Sequence, residues 1–166
     1  LKEVVKAHGA IEVIPLDDEK VAKDIWEIRG AIARAVNVSG PWEPIDIVVP
    51  INRITDFVDY VNELTDSGSP RIVAFGHAGD GNVHLCVLKD NIPDDKWPEV
   101  LHNTMEKLYK KSYELGGVVS GEHGVGKGKR DFFLQNTTDE YRSLMLGVKK
   151  SFDEFNLLNP HSGYGL

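Results

Sequence analysis

The dipeptide Asp80-Gly81 stands between two largely apolar runs, Arg71 to His77 and Val83 to Leu88. A type I′ turn needs positive φ at both central residues, which Asp-Gly accepts, so the spacing predicts a β-hairpin. If Asp80-Gly81 is the whole turn, Gly79 faces Asn82, Ala78 faces Val83, and His77 faces His84. Directly opposed residues have Cβ atoms about 4.5–5.5 Å apart and project to one face. Two imidazoles on that frame can reach one ion, since Zn–N distances are about 2.0–2.1 Å. The alternative is two unrelated histidines, one hydrogen-bonded in the core and one solvated. A bulge in the glycine-rich turn would shift the register. Val73, Phe75, Cys86 and Leu88 share the histidine face; Ile72, Ala74, Val83, Leu85 and Val87 form the other. Both faces are apolar, which predicts a sheet covered on both sides. Cys86 stands close enough to the histidines to be a ligand, but a small buried apolar filler is the preferred reading.

The flanking pattern extends this hairpin into a fold. Ile45 to Val49 reads as a strand ended by Pro50, and Ile54, Phe57, Val58, Val61 and Leu64 form a helical stripe. After the hairpin, Leu101, Met105, Leu108, Ser112 and Leu115 mark a second helix, ended by Gly116-Gly117. Val118-Val119-Ser120 reads as a last strand. The order predicts an α+β fold with a ferredoxin-like antiparallel sheet, βαββαβ. Additional N- and C-terminal helices flank it. Val21, Ile25, Ile28 and Ile32 follow Asp17-Asp18, after a short strand over residues 10–15. Residues 37–44 read as a loop. Tyr141, Leu144, Met145, Val148, Phe152 and Phe155 follow a capping box of Thr137 and Glu140.

A second chemical stretch, Ser120-Gly121-Glu122-His123-Gly124, leaves that last strand. Three protein ligands and an open position form the usual catalytic zinc site, and His-His-Glu is one such set. Glu122 would join His77 and His84 as the third ligand. His123 would then stand beside the metal, with a pKa near ~6.5 suited to moving a proton. A plain surface loop is the bland alternative. Gly121 to Gly128 also matches a phosphate-binding loop except at its last position, where Gly128 lacks the hydroxyl that holds Mg²⁺. Glu122 would put a negative charge where phosphates should sit.

The 166 residues suffice for one domain with a core. A net charge of -7 argues against a nucleic-acid partner. The single cysteine rules out an internal disulfide framework. No run approaches the ~18–20 apolar residues of a membrane span, so a soluble chain is expected. It opens at Leu1 without methionine or a signal-like segment, so it is expected to be a piece of a longer protein.

At its two chemical stretches the sequence resembles the C-terminal domain of FAD-linked oxidases of the glycolate oxidase, D-lactate dehydrogenase and D-2-hydroxyglutarate dehydrogenase type. Gly76-His77-x-Gly79-Asp80-Gly81-Asn82-x-His84 is similar to one family motif, and Ser120-Gly121-Glu122-His123-Gly124-x-Gly126-x-x-Lys129 to another. Leu158-Asn159-Pro160 and Ile25-Trp26-x-x-Arg29 resemble two shorter ones. The resemblance runs in order over about residues 12–160.

The resemblance implies that residues 1–166 form the cap or substrate domain of an FAD-dependent 2-hydroxy acid dehydrogenase or oxidase. A separate N-terminal domain would bind FAD, and this chain alone would lack turnover. By position, His77, His84 and Glu122 would hold a divalent metal, zinc foremost. His123 would take the substrate hydroxyl proton, and Arg29 would pair with the substrate carboxylate. Without the resemblance, Arg29 would read as a solvated helix residue. Asn82 and Asn159 would lie near flavin or substrate. Relatives that carry a substrate lysine have it where Pro44 stands here, and some carry asparagine in place of Cys86. Both differences favour a small 2-hydroxy monocarboxylate over a dicarboxylate. His161 also departs from the family's Asn-Pro-Gly-Lys ending. The implied partners are the N-terminal FAD domain and an iron–sulfur or other electron-transfer protein. A cytoplasmic location is expected, with peripheral membrane association through partners as its variant. The rival reading is a stand-alone module that binds a metal or small acid without catalysis.

Overall fold

The computed structural model describes residues 2–163, apart from the side chain of Ala33. They divide into two units, Leu1–Val38 and Ser39–Leu166. The first carries α1 (Lys2–Ala7) and α2 (Glu19–Val36). The carboxylate of Asp18 caps α2, accepting from the N–H groups of Lys20 (2.9 Å) and Val21 (3.1 Å). The strand expected over residues 10–15 does not form. Ile11 and Ile14 are exposed, and an extended segment without a strand partner leaves its backbone groups to water.

The second unit follows the predicted order: β1 (Trp42–Val48), α3 (Ile54–Asp66), β2 (Ile72–His77), β3 (Asn82–Leu88) and α4 (Trp97–Glu114). The three strands form an antiparallel sheet in the order β1-β3-β2. The α+β expectation therefore holds. β1 starts earlier than its apolar run suggests and includes Pro44. Val48 exchanges backbone hydrogen bonds with Val118 on the outer side of β1. Pro44 shares that outward side by alternation, so its missing N–H breaks no bond to β3.

The fourth strand of the ferredoxin-like order is reduced to one antiparallel bridge, Val48↔Val118. Beyond it the backbone N–H groups of residues 121–123 turn to the Asp46 side chain instead of continuing a ladder. A third helix after α3 and α4 was not legible: α5 (Arg130–Gln135) inserts Phe132 and Phe133 into the core. The Phe132 ring centroid lies 4.8 Å from that of Tyr109. The core joins Ile45, Ile47, Val83, Leu85 and Val87 of the sheet to Phe57 and Val61 of α3 and Leu108 of α4.

The hairpin register differs from the expected one. His77 pairs with Asn82, and Phe75 pairs with His84. Residues 78–81 make a longer turn, in which the Asp80 N–H donates to the His77 carbonyl at 3.2 Å. The Asp80 carboxylate accepts from the Asn82 N–H, and the Val49 N–H donates to the Gly81 carbonyl at 3.0 Å. Gly81 has the positive φ that a type I′ turn needs (81°) but Asp80 does not, so the two residues do not form that turn. The shift is two residues, so face parity survives. His77 and His84 still project to one face, as diagonal neighbours instead of opposed ones.

The last helix, α6, spans Asp139–Phe152. Its cap is Thr138, whose Oγ1 accepts from the Tyr141 N–H at 3.2 Å. The expected capping residue, Thr137, instead donates to the Phe133 carbonyl and ties the helix to α5. Leu144, Val148 and Phe152 of its apolar stripe remain exposed. Among the described residues, no helix is long and apolar enough to cross a membrane.

Candidate metal and acid–base site

Ile45 and Ile47 face the helices, so strand alternation turns Asp46 to the other side of the sheet. There Asp46 of β1, His84 of β3 and Phe75 of β2 stand in one row across the strands. The carboxylate of Asp46 is fully buried. Its Oδ2 accepts from the Ser120 hydroxyl (2.8 Å) and from the N–H groups of Gly121 (3.0 Å), Glu122 (3.0 Å) and His123 (2.8 Å). Lys129 Nζ lies 3.7 Å from the same oxygen. Burial alone would raise the Asp46 pKa. The His123 and Glu122 N–H groups, the Ser120 hydroxyl and Lys129 outweigh it and hold the carboxylate far below its ordinary range.

This nest removes the phosphate-loop reading. The N–H groups that would cradle a phosphate are already spent on the chain's own carboxylate. The segment also leads into a six-residue α5, not the long helix of a nucleotide-binding loop. Gly121 closes against the sheet: a Cβ there would lie 2.6 Å from Val48 Cγ2 and 2.8 Å from Asn82 Nδ2. Only glycine allows the loop so near β1 and β3.

The nest carries Glu122 and His123 to the two hairpin histidines. Glu122 Oε1 lies 3.1 Å from His84 Nε2, 3.7 Å from His77 Nε2 and 3.9 Å from His123 Nε2. The rings of His77 and His84 meet edge-on with centroids 5.2 Å apart, and His123 stacks on His84 at 5.2 Å. One donor atom from each of His77, His84 and Glu122 falls within 4.8 Å of the other two. Tetrahedral zinc with bonds of about 2.0–2.2 Å separates its ligand atoms by roughly 3.4 Å. The measured separations to Glu122 bracket that value.

Asp46, His84 and His123 also meet the 4.8 Å spacing. In that set, however, Oδ2 of Asp46 is saturated by its four donors. The two nitrogens of His84 already point apart, Nδ1 to Asp46 Oδ1 at 3.7 Å and Nε2 to Glu122. The donor set therefore fits a divalent ion among His77, His84 and Glu122. Burial, the largest influence, lowers the His84 pKa; Asp46 and Glu122 oppose it, and His123 and His77 reinforce it. A neutral imidazole is the ligating form.

The remaining sequence candidates fall elsewhere. Asn82 is only 6% exposed and lies beneath Gly121. Arg29 belongs to the first unit, on α2, with its guanidinium 5.9 Å from the Trp26 ring centroid. Asn159 lies past α6 at φ 50, where its carbonyl accepts from the Ser162 N–H. The residue that sequence reasoning missed is Asp46. Its signal was a carboxylate inside the apolar run Ile45 to Val49, since a buried charge requires partners.

Several known proteins are similar to this chain in sequence. D-lactate dehydrogenase of Anaerostipes hadrus is 37% identical over 95% of this chain, which covers 34% of that protein. D-lactate dehydrogenase of Archaeoglobus fulgidus is 32% identical over 95% of the chain and 34% of its own length. The glycolate oxidase subunit GlcD of Bacillus subtilis is 30% identical over 96% of the chain, again covering 34% of the relative. The chain thus spans about a third of the length of the curated relatives it matches. Residues 1–162, which include both halves of the histidine–glutamate cluster, match one family throughout, and the chain belongs to it: the FAD linked oxidases, C-terminal domain.

Proposed function

We propose that this chain is the metal- and substrate-holding domain of an FAD-dependent oxidoreductase acting on small 2-hydroxy monocarboxylates. Glycolate and D-lactate are the leading substrates. The observation that carries this reading is the meeting of His77, His84 and Glu122 on one sheet face, with His123 beside them and outside the triad. Family membership supports the flavin, and the names of the relatives support the substrate class.

His77, His84 and Glu122 would hold the divalent metal, which we assign as zinc. When bound, the metal would supply polarisation of an α-hydroxyl and the flavin would supply a hydride acceptor. His123 is about half exposed, and its Nε2 faces the carboxylate of Glu122. That nitrogen takes the substrate hydroxyl proton as general base. Arg29 pairs with the substrate carboxylate, a role taken from the family resemblance. Asn159 is assigned to the flavin side on the same ground. Asn82, buried beneath Gly121, acts through the loop that it supports. The rest of the protein supplies the FAD domain, and an iron–sulfur or other electron-transfer partner reoxidises the flavin.

The test is anaerobic mixing of the full-length protein with D- and L-2-hydroxy acids, followed by flavin absorbance and elemental analysis. Bleaching by a small D-2-hydroxy monocarboxylate, with bound divalent metal, is the expected result. No bleaching by any member of the panel overturns the activity. Absence of metal, with activity unchanged by chelation, overturns the metal.

A further inference from the structure

Oδ1 of Asp46 and Nδ1 of His84 face each other at 3.7 Å on neighbouring strands. Both atoms are buried, and neither has a hydrogen-bond partner among the described residues. Asp46 Oδ2, by contrast, collects four donors from the loop at residues 120–123. One carboxylate thus addresses the two halves of the site with its two oxygens. We infer that Asp46 is the positioning residue of the site, gathering Glu122 and His123 through Oδ2 and fixing the His84 ring through Oδ1, with the ring proton on Nδ1.

The alternative tautomer would let Nε2–H donate to Glu122 Oε1 at 3.1 Å, but that carboxylate is half exposed and can be met by water. Oδ1 of Asp46 and Nδ1 of His84, by contrast, are buried and have only each other. With the proton on Nε2, the Nδ1 lone pair would face a carboxylate oxygen in a dry pocket. With the proton on Nδ1, a shift of about 0.8 Å closes a normal hydrogen bond of about 2.9 Å. The Nε2 lone pair then faces Glu122 Oε1 at 3.1 Å, the arrangement of two donors around one cation. A carboxylate behind a ligating histidine fixes both its tautomer and its ring plane. Asp46 suits this task because β1 is a rigid element and its other oxygen is already locked. Phe75 closes the opposite side of the ring at 5.6 Å, so His84 is held laterally as well.

The inference rests on the metal reading only for its consequence, not for the tautomer. Asp46→Asn separates the two. The amide oxygen of asparagine can still accept from the loop N–H groups, and its NH2 group would collide with those donors if reversed. The NH2 group must therefore face Nδ1 of His84 and select the Nε2–H tautomer, which blocks the nitrogen aimed at Glu122.

The experiment is ¹⁵N-histidine NMR on the metal-free full-length protein, beside Zn²⁺ affinity measured by chelator competition. The wild type is expected to show the Nδ1–H tautomer at His84. Asp46→Asn is expected to show Nε2–H and to bind Zn²⁺ about 10- to 100-fold more weakly. Ser120→Ala removes one donor from Oδ2 and leaves Oδ1 in place, so it should retain the Nδ1–H tautomer. An Nε2–H tautomer in the wild type overturns the inference, even if Asp46→Asn does not fold. So does an unchanged tautomer and affinity in Asp46→Asn, or a flip in Ser120→Ala. Wild-type protein that binds no Zn²⁺ overturns the metal reading above, while its His84 tautomer still decides the role of Asp46.

Discussion

Nε2 of His84 lies 3.1 Å from Oε1 of Glu122, one on the central strand and the other on a loop without regular structure. His84 is the better enclosed of the hairpin histidines, with its side chain 12% exposed against 34% for His77. It also contacts every other member of the cluster: Asp46, Glu122, His77 and His123. His84→Ala is therefore expected to abolish stoichiometric metal in the purified full-length protein. His77→Ala should weaken binding but leave metal detectable at saturating Zn²⁺. Elemental analysis after desalting measures the difference. Full metal retention by His84→Ala would remove it from the ligand set.

The histidine half of the cluster was legible because its parts are close in sequence: a hairpin keeps His77 and His84 on one face so long as its register shifts by an even number of residues. The register was less so. A two-residue slip keeps every side chain on its face, so His77 and His84 share a face under either pairing. What no sequence pattern specified was the device that joins the two halves. Asp46 is separated from its partners at 120–123 by two helices and a hairpin, and a single carboxylate in an apolar run does not name the donors that satisfy it. Likewise α6 was recognised by its stripe. Periodicity shows that Leu144, Val148 and Phe152 share a face but not what covers it, and these residues stay exposed here.

Gly81 carries a local test of the hairpin. Its φ is 81°, and a Cβ would lie 2.0 Å from the Val49 carbonyl oxygen. The left-handed conformation alone costs an L-residue about 1–2 kcal/mol. The clash with backbone adds to this and must displace the turn that precedes His84. Gly81→Ala should therefore lower stability by more than that amount and weaken Zn²⁺ binding together. Gly79 sits in the same turn with no atom within 4 Å of its would-be Cβ and no positive φ. Gly79→Ala should change stability by no more than about 0.5 kcal/mol. Urea denaturation of the two variants, paired with chelator competition, reads both effects; equal behaviour would mean that the turn is not held against Val49.

Phe57 tests the other face of the sheet. Its side chain is fully buried, where α3 packs with Ile45, Ile47, Val83 and Leu85. Truncation to alanine is expected to cost about 3–5 kcal/mol. That is a large share of the roughly 5–15 kcal/mol typical of a whole domain. The metal cluster lies across the sheet, so Phe57→Ala should lower the urea midpoint while the folded fraction keeps its Zn²⁺ affinity. A selective loss of affinity without loss of stability would contradict the two-faced arrangement.

Tyr109 gives the pH dependence. It is 1% exposed in the core, and its hydroxyl has no hydrogen-bond partner among the described residues. Burial above all, then the charges of Glu43 and Asp46 and the neighbouring Tyr113, pushes its pKa well above the ordinary phenol range. A folded pKa above the unfolded value of about 10 means that the native state keeps a proton which the unfolded chain releases. The contribution to stability is therefore whole below about pH 10 and is lost as pH rises from there toward the folded pKa. Tyr109→Phe removes the titrating group and the orphaned hydroxyl together. An unsatisfied buried polar group costs about 1–3 kcal/mol, so the variant should be at least as stable as the parent near neutral pH. Between about pH 9 and pH 11 it should lose less stability than the parent, with Tyr60 and Tyr113 accounting for part of the remaining slope. Urea melts followed by tryptophan fluorescence at both ends of that range provide the measurement. Destabilisation by Tyr109→Phe at neutral pH would show that the hydroxyl makes a hydrogen bond and would sink this account of its titration.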